Sequence, residues 1–366
     1  MTLLFILFIF SIIGIAIFKA TKSTITLGAD FLGLAIEPIV SASSVSSLPT
    51  SITLKEPMFN SDNIQEYTGD SVKIFEFRPQ TWEQFIGQKE AKEMAKTIIK
   101  KAKRNIKCHF IVNGIKGHGK TTFVKLLAKS LNAKIIERIG KQIDEENIVD
   151  IINEINNSSE QYVMLFIDEI DTMDWKVVKV LNPIIEEFKI NGKKIKPFIF
   201  ACATINKHEL VKNNPDTLDR IPTHIKFERY NAEEIATILK QYHTQLYAVE
   251  NVADEIIIII SNNSKFNPRT SIALLEDYIV EQNINKVLRN SNIIYNGLNI
   301  TDIKILTILS KQTRAIGANA LAMKAGLSQS EYLTEYEPFL VEYDYINRIP
   351  SRVLTEKGKQ ILKGIK

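Results

Sequence analysis

The chain has 366 residues, 45% hydrophobic and 24% charged, an ordinary globular composition able to bury the cores of two or three domains. Its net charge of +4 is compatible with nucleic acid or an anionic membrane surface and diagnostic of neither. Cys108 and Cys202 are the only cysteines, which excludes a disulfide framework and a zinc set and fits a reducing compartment.

Leu3–Phe18 (LLFILFIFSIIGIAIF) carries no charge and is followed by Lys19 and Lys22. A membrane span takes roughly 17–25 apolar residues, so the run is short but sufficient. Only Thr2 stands between it and the start, so the basic n-region of a cleaved signal peptide is missing. Lysines on the C-terminal side place the rest of the chain at the cytoplasmic face. The expectation is a single-pass anchor over 1–22, with a buried helix or a misjudged start as the alternative. Phe31–Val40 is broken by Glu37 and Pro38, and Ser41–Ser51 reads as a tether, so 23–75 is assigned as linker.

Arg78–Gln88 (RPQTWEQFIGQ) leads into an amphipathic helix, Lys89–Arg104. The apolar run His109–Val112 is followed at once by Gly114–Thr122 (GIKGHGKTT) and then by the helical pattern Phe123–Leu131. Strand, glycine loop and helix, with Gly114, Gly119, Lys120 and Thr121 in the G-x-x-x-x-G-K-[ST] frame, form a phosphate-binding loop. Its backbone N–H groups converge on one concavity at a helix N-terminus, Lys120 reaches the β/γ-phosphates, and the Thr121 hydroxyl holds Mg²⁺.

Ala133–Ile139 is the next predicted strand and Glu145–Asn156 a helix. Tyr162–Ile167 (YVMLFI) reads as a fully buried parallel strand ending in Asp168-Glu169-Ile170-Asp171. Acids at the end of a central strand lie beside the phosphate loop: Asp168 is assigned to the metal and Glu169 to the base that activates water. Pro197–Ala203 is a further buried strand, whose polar continuation, Thr204 or Asn206, can sense the γ-phosphate or simply cap the strand. Asp219-Arg220 precedes the strand His224–Tyr230. Arg220 is either a surface ion-pair partner or a finger offered to a neighbouring subunit's ATP.

Asn231–Tyr247, Ala253–Ser261 and Pro268–Asn285 are three predicted lid helices. Arg269 opens the third, an electrostatically poor place for a cation, which favours a ligand-facing role. After Val287–Leu298 the pattern restarts. Thr301 is expected to cap Asp302–Lys311, Ala318–Ala325 is a second helix, and Ser328-x-x-Glu331 begins a third, Glu331–Val341. Two short β segments, Tyr345–Ile349 and Arg352–Thr355, complete a winged helix. The acids of its third helix repel phosphates, so Arg348 and Arg352 on the wing are the expected DNA backbone contacts.

Together these residues resemble the RuvB family of Holliday-junction branch-migration ATPases, within the AAA+ superfamily. The resemblance rests on RPQTWEQFIGQ, the phosphate loop, FIDEID, Asp219-Arg220, Tyr230, Asn267-Pro268-Arg269 and the tail YEPFLVEYDYINRIPSR, and it covers roughly Arg78–Lys366. It implies an α/β fold: an AAA+ parallel sheet over 76–230, a helical lid over 231–297 and a winged-helix DNA-binding domain over 298–366. It implies adenine contacts at Arg78 and Ile86 and phosphate contacts at Gly117, Gly119, Lys120, Thr121 and Thr122. Arg220 is then the finger, Tyr230 a nucleotide-side contact and Arg269 the lid sensor. Family members are hexameric rings that hydrolyse Mg-ATP and drive DNA through a junction held by a RuvA partner.

The sequence departs from the family in four places. The usual Gly-Pro-Pro-Gly opening is Gly114-Ile115-Lys116-Gly117, and Ile205 stands where the polar sensor aligns. The stretch from Phe188 to Pro197 is short, with Asn191-Gly192 marking a two-residue hairpin turn, where the family has the longer hairpin that grips RuvA. A RuvA-like partner is therefore left open, and the N-terminal apolar segment is foreign to the family. The leading expectation is an ATP-hydrolysing DNA motor. Its rivals are a membrane-tethered AAA+ remodeller of proteins, which DNA would not stimulate, and an ATP-gated DNA-binding switch.

Overall fold

Strands that are apolar along their whole length must be covered on both faces, and three such strands form the centre of the molecule. The computed structural model describes residues 77–205, 210, 215–246, 252–348 and 351–365. The strands β1 (Phe110–Asn113), β2 (Lys134–Ile139), β3 (Val163–Asp168), β4 (Ile199–Thr204) and β5 (Thr223–Lys226) make one parallel sheet in the order β2-β3-β4-β1-β5. The three interior strands are nearly continuously buried, whereas the edge strands β2 and β5 alternate.

Period-two alternation divides the sheet between two cores. Ile111, Leu165, Ile167 and Phe200 face the helices Glu145–Asn156 and Trp175–Glu187. Phe110, Val112, Phe166 and Ala201 face Lys89–Lys103 and Lys120–Ser130. Asn113 lies level with Thr204 on one side and Lys226 on the other, so the carboxyl ends of the central strands share one edge. That edge is where open parallel sheets bind ligands.

Among the described residues the lid contains four helices where the sequence predicts three. Pro268–Glu281 stops because Gln282 turns left-handed (φ 49°), and Asn283 then caps a new helix, Ile284–Asn290, accepting from the Lys286 N–H at 3.0 Å. A hairpin, Ile293–Tyr295 with Leu298–Asn299, joins it to the winged helix. There Asn299, not Thr301, caps the first helix, Ile300–Ser310, in a reciprocal box with Asp302. The expected third helix is interrupted by a wide turn, Tyr332–Tyr336. Pro338 explains it: proline offers no N–H to the preceding turn and its ring crowds the carbonyl there, so the helix widens before Glu337–Glu342.

The short hairpin signalled by Asn191-Gly192 is present, both residues having positive φ between Lys189–Ile190 and Lys193–Lys194. Among the described residues no helix is long and apolar enough to cross a membrane. The anchor expected at Leu3–Phe18 lies outside the described residues, as does Asn206.

Arg352 corrects an expectation. It does not project from the wing; its guanidinium is mostly buried and forks onto the Glu337 carboxylate at 2.6 and 3.1 Å. The Tyr332 hydroxyl donates to the same carboxylate at 3.1 Å. A carboxylate this deep is tolerable only with its cation, so Arg352 is committed to the core and Arg348 alone of the two is exposed. Glu337→Ala strands that cation and is expected to lower the unfolding free energy by about 3–5 kcal/mol. Urea unfolding followed by circular dichroism checks this, and a loss below about 1 kcal/mol would place the pair among ordinary surface bridges.

Candidate active site

The phosphate loop leaves β1 at Asn113 and enters the helix Lys120–Ser130. Two of its glycines are required by what surrounds them. A Cβ at Gly114 would stand 2.6 Å from Phe227 Cβ. Gly117 has φ +85°, and a Cβ there would meet the Asn267 side-chain oxygen at 2.4 Å and Arg269 Cβ at 3.0 Å. The loop and the lid therefore touch through a missing side chain. Gly119 opens the helix with no side-chain cap, and the first turn holds no acid. Uncapped N–H groups at a helix N-terminus suit an anion with several oxygens, so the loop fits a nucleotide phosphate. Thr122 follows in that first turn.

Lys120 is 9% exposed. Its Nζ donates to the Gly114 and Ile115 carbonyls at 2.7 and 3.1 Å, oxygens of the same loop. Burial pushes its ammonium down to about 8, against the upward pull of Asp168 and Asp171. The Thr121 hydroxyl donates to Asp168 Oδ2 at 2.7 Å, which brings together the two oxygens assigned to a metal.

Glu169 follows with an exposed side chain and φ +52°. Such a backbone costs about 1–3 kcal/mol for a residue with a Cβ, so something must hold it. Its carbonyl accepts from Thr172 Oγ1 at 2.7 Å, its N–H donates to Asp168 Oδ1 at 2.9 Å, and Gly140 packs against that carbonyl. Thr204 is fully buried and its hydroxyl donates to Asp171 Oδ1 at 2.5 Å, while Ile205 is exposed. Asp171 therefore links the strand end to the lysine, a role the sequence analysis did not assign.

On the other side of the loop, the Tyr230 hydroxyl donates to the His118 carbonyl at 3.2 Å. Tyr230 and Ile86 both belong to the lid core, and Arg78 is half-buried nearby in sequence. Gln88 exchanges two hydrogen bonds with the backbone of Glu228, at 2.8 and 3.0 Å, fixing the lead-in segment to the strand that ends the sheet. His118 is fully buried and its Nε2 has no hydrogen-bond partner among the described residues. Burial drives it down to about 4, so it is neutral at physiological pH.

Asn267 was also missed as a site residue, although Asn-Pro at a helix start is a readable cap. Its Oδ1 accepts from the Arg269 N–H at 3.0 Å and its Nδ2 donates to the Lys116 carbonyl at 2.8 Å. Arg269 is exposed beside the loop, where its charge helps to depress Lys120. Arg220 is not drawn into this cluster. Its Nε pairs with Glu186 at 2.9 Å and its Nη1 donates to the Asp216 carbonyl at 2.5 Å. A part-exposed pair of this kind is worth about 0.2–1 kcal/mol, little enough to be exchanged for another partner.

Sheet order, phosphate loop, acid-tipped third strand and helical lid define a P-loop ATPase of the AAA+ type. Residues 77–194 match the family described as Holliday junction DNA helicase RuvB P-loop domain, and residues 295–363 the RuvB C-terminal winged helix domain. The chain is 28% identical over 307 residues to the Holliday junction branch migration complex subunit RuvB of Ureaplasma parvum serovar 3, across 79% of this chain and 97% of that protein. It is 28% identical over 331 residues to the protein of the same name from Campylobacter lari, across 82% and 95%. The solved Thermotoga maritima RuvB Holliday junction branch migration motor superposes with a TM-score of 0.68 at 28% identity, across 78% of this chain and 98% of that one. The chain belongs to the RuvB family.

Gly117→Ala is expected to weaken ATP binding by about tenfold or more, because the added Cβ is strained by its φ and strikes Asn267. Titration calorimetry checks it, and unchanged affinity would mean that loop and lid do not meet in the bound state. The Lys120 ammonium is charged below about pH 8 and neutral above it in the free protein. ATP affinity should accordingly be full below that pH and fall as pH rises through it. A binding curve level from about pH 7 to about pH 9.5 would contradict the depressed lysine.

Proposed function

We propose that this chain is an ATP-driven DNA motor that moves branched, four-way junction DNA as a homo-oligomeric, hexameric ring in the cytoplasm. The observation that carries the proposal is the junction of Thr121 and Asp168, 2.7 Å apart, with the exposed Glu169 next in the chain, in a protein that ends in a RuvB-type winged helix. Regions 76–230, 231–297 and 298–366 serve as motor, lid and DNA-binding domain.

In this reading Lys120 gives up the Gly114 and Ile115 carbonyls for phosphate oxygens, an exchange that returns a partly desolvated ammonium to a fully anionic partner. Gly114, Gly117 and Gly119 keep the loop backbone clear, while the N–H groups of Thr121 and Thr122 face the phosphates. Thr121 Oγ1 and Asp168 would hold Mg²⁺, which when bound would neutralise charge on the phosphates. Glu169 accepts a proton from the attacking water. Thr204, held by Asp171, is the better-supported sensor, since its hydroxyl is already fixed at the strand end. Arg78 and Ile86 border the base, Tyr230 is a further contact on the nucleotide side, and Arg269 follows the state of the phosphates from the lid.

Arg220 leaves Glu186 to complete the next subunit's site, where such a guanidinium contributes on the order of 10³–10⁵ in rate. Arg348 contacts the DNA backbone. The lysine-bearing hairpin at Lys189–Lys194 is two residues a side.

Glu169→Gln keeps the side-chain volume and removes the base. With Mg-ATP, it should bind nucleotide as the unchanged chain does while strand exchange at a four-way junction stops. Junctions that migrate equally well with the glutamine protein would remove Glu169 from its role. Brisk turnover by the unchanged chain without any junction movement would favour a remodeller of proteins.

A further inference from the structure

Two short stretches of chain each touch the phosphate loop with one residue and the winged helix with its neighbour. In the first, the Tyr230 hydroxyl holds the His118 carbonyl. Arg229, with a side chain only 9% exposed, pairs with Glu342 of the winged helix and lies 5.7 Å from the Phe339 ring centre. In the second, Asn267 holds the Lys116 carbonyl. Phe266 stacks on Tyr343 of the winged helix, 5.2 Å between centres and 12° between planes. Lys265 pairs with Asp302 at 2.5 Å and sits 5.1 Å from the Phe339 ring centre. The two stretches also touch each other, Arg229 Nη1 donating to the Lys265 carbonyl at 3.4 Å.

Lys265 and Phe266 both have left-handed backbones, φ 53° and 52°. Consecutive side-chain-bearing residues hold that conformation only where their surroundings impose it. Here the winged helix supplies part of those surroundings, through Tyr343 and Asp302, and the lid core supplies the rest. Asp302 is fully buried and its carboxyl is pushed up by burial and held back by Lys265, so releasing the lysine would leave a desolvated acid without its cation. Phe266 is gripped by Tyr343. The next residue is Asn267, whose amide joins the loop and whose neighbour Arg269 lies against Gly117.

We propose that Arg229, Lys265 and Phe266 are positioning residues that couple the winged helix to the phosphate loop, so that a docked winged helix holds Asn267 and Arg269 in the arrangement that binds nucleotide. The inference rests on the nucleotide reading above and adds to it a route by which the DNA-binding end and the ATP site sense each other. By linkage, whatever affinity the docked winged helix adds for nucleotide, nucleotide adds to the docking. A purely structural seam between domains would stabilise the chain and leave nucleotide affinity alone.

The test changes only winged-helix residues and reads the distant site. The full chain, with Tyr343→Ala, Tyr343→Phe or Glu342→Gln, is titrated with a slowly hydrolysed ATP analogue and magnesium, and folding is checked by circular dichroism. Tyr343→Ala and Glu342→Gln are each expected to weaken binding by about threefold or more, while Tyr343→Phe, which keeps the stacked ring, binds as the unchanged chain does. Folded Tyr343→Ala and Glu342→Gln proteins with unaltered affinity would overturn the coupling and leave the ATPase reading standing. Should Tyr343→Ala not fold, Glu342→Gln decides alone, since that carboxylate is half-exposed. An unchanged chain that binds no nucleotide would overturn both.

Discussion

Asn267 reaches the phosphate loop across the place where residue 117 would carry a side chain. Its amide donates to Lys116, its oxygen caps the lid helix, and Gly117 is the gap that admits it. Remove that gap and the lid must withdraw from the loop, taking Arg269 with it. Much of the site's order follows from this contact. The sheet sets the loop's floor through Asn113 and Phe227, whose carbonyl and N–H meet at 2.7 Å. The aromatic cluster of Trp82, Phe85, Phe123 and Phe227 sets its wall.

The loop is folded yet chemically unfinished. Lys120 is desolvated and, among the described residues, hydrogen-bonded only to carbonyls of its own loop, and the helix behind it begins without a side-chain cap. Buried polar groups are usually paired, and a loop whose pairs are provisional fits a site that takes a ligand. His118 Nε2 belongs with these, a buried atom with no hydrogen-bond partner among the described residues, its ring beside that of Tyr230. Burying a lysine is costly for its charged form, and three acids at or after the end of β3 offset part of that cost. The acids are thus electrostatic support for the loop as well as candidates for catalysis.

Features encoded by short-range chemistry were readable from the chain. The glycine frame, the uninterrupted strands, the acids at a strand end and the Asn-Gly turn each dictate a local structure that tertiary context had no reason to override. What escaped reading depends on long-range partners. Arg352 looks like a wing cation in sequence, but Glu337, 15 positions away, takes it inside. Two local signals were also passed over: Pro338 behind the wide turn, and the Asn299–Asp302 box that caps the first helix of the winged helix in place of Thr301. The helix Trp175–Glu187, to which the sequence analysis assigned no element, carries Pro183 inside it and buries Val177, Val178 and Leu181 against the sheet. Arg220 carries no sequence mark that separates its bond to Glu186 from a role at a neighbour's site.

At the centre of this account is a triphosphate held by the loop and spent on moving DNA. The most direct measurement is the rate of ATP turnover by the full chain with magnesium, in the presence of four-way junction DNA, duplex DNA or none. The account predicts measurable turnover that rises several-fold with the junction and less with the duplex. No turnover under any of the three conditions, or a rate indifferent to DNA, would contradict it.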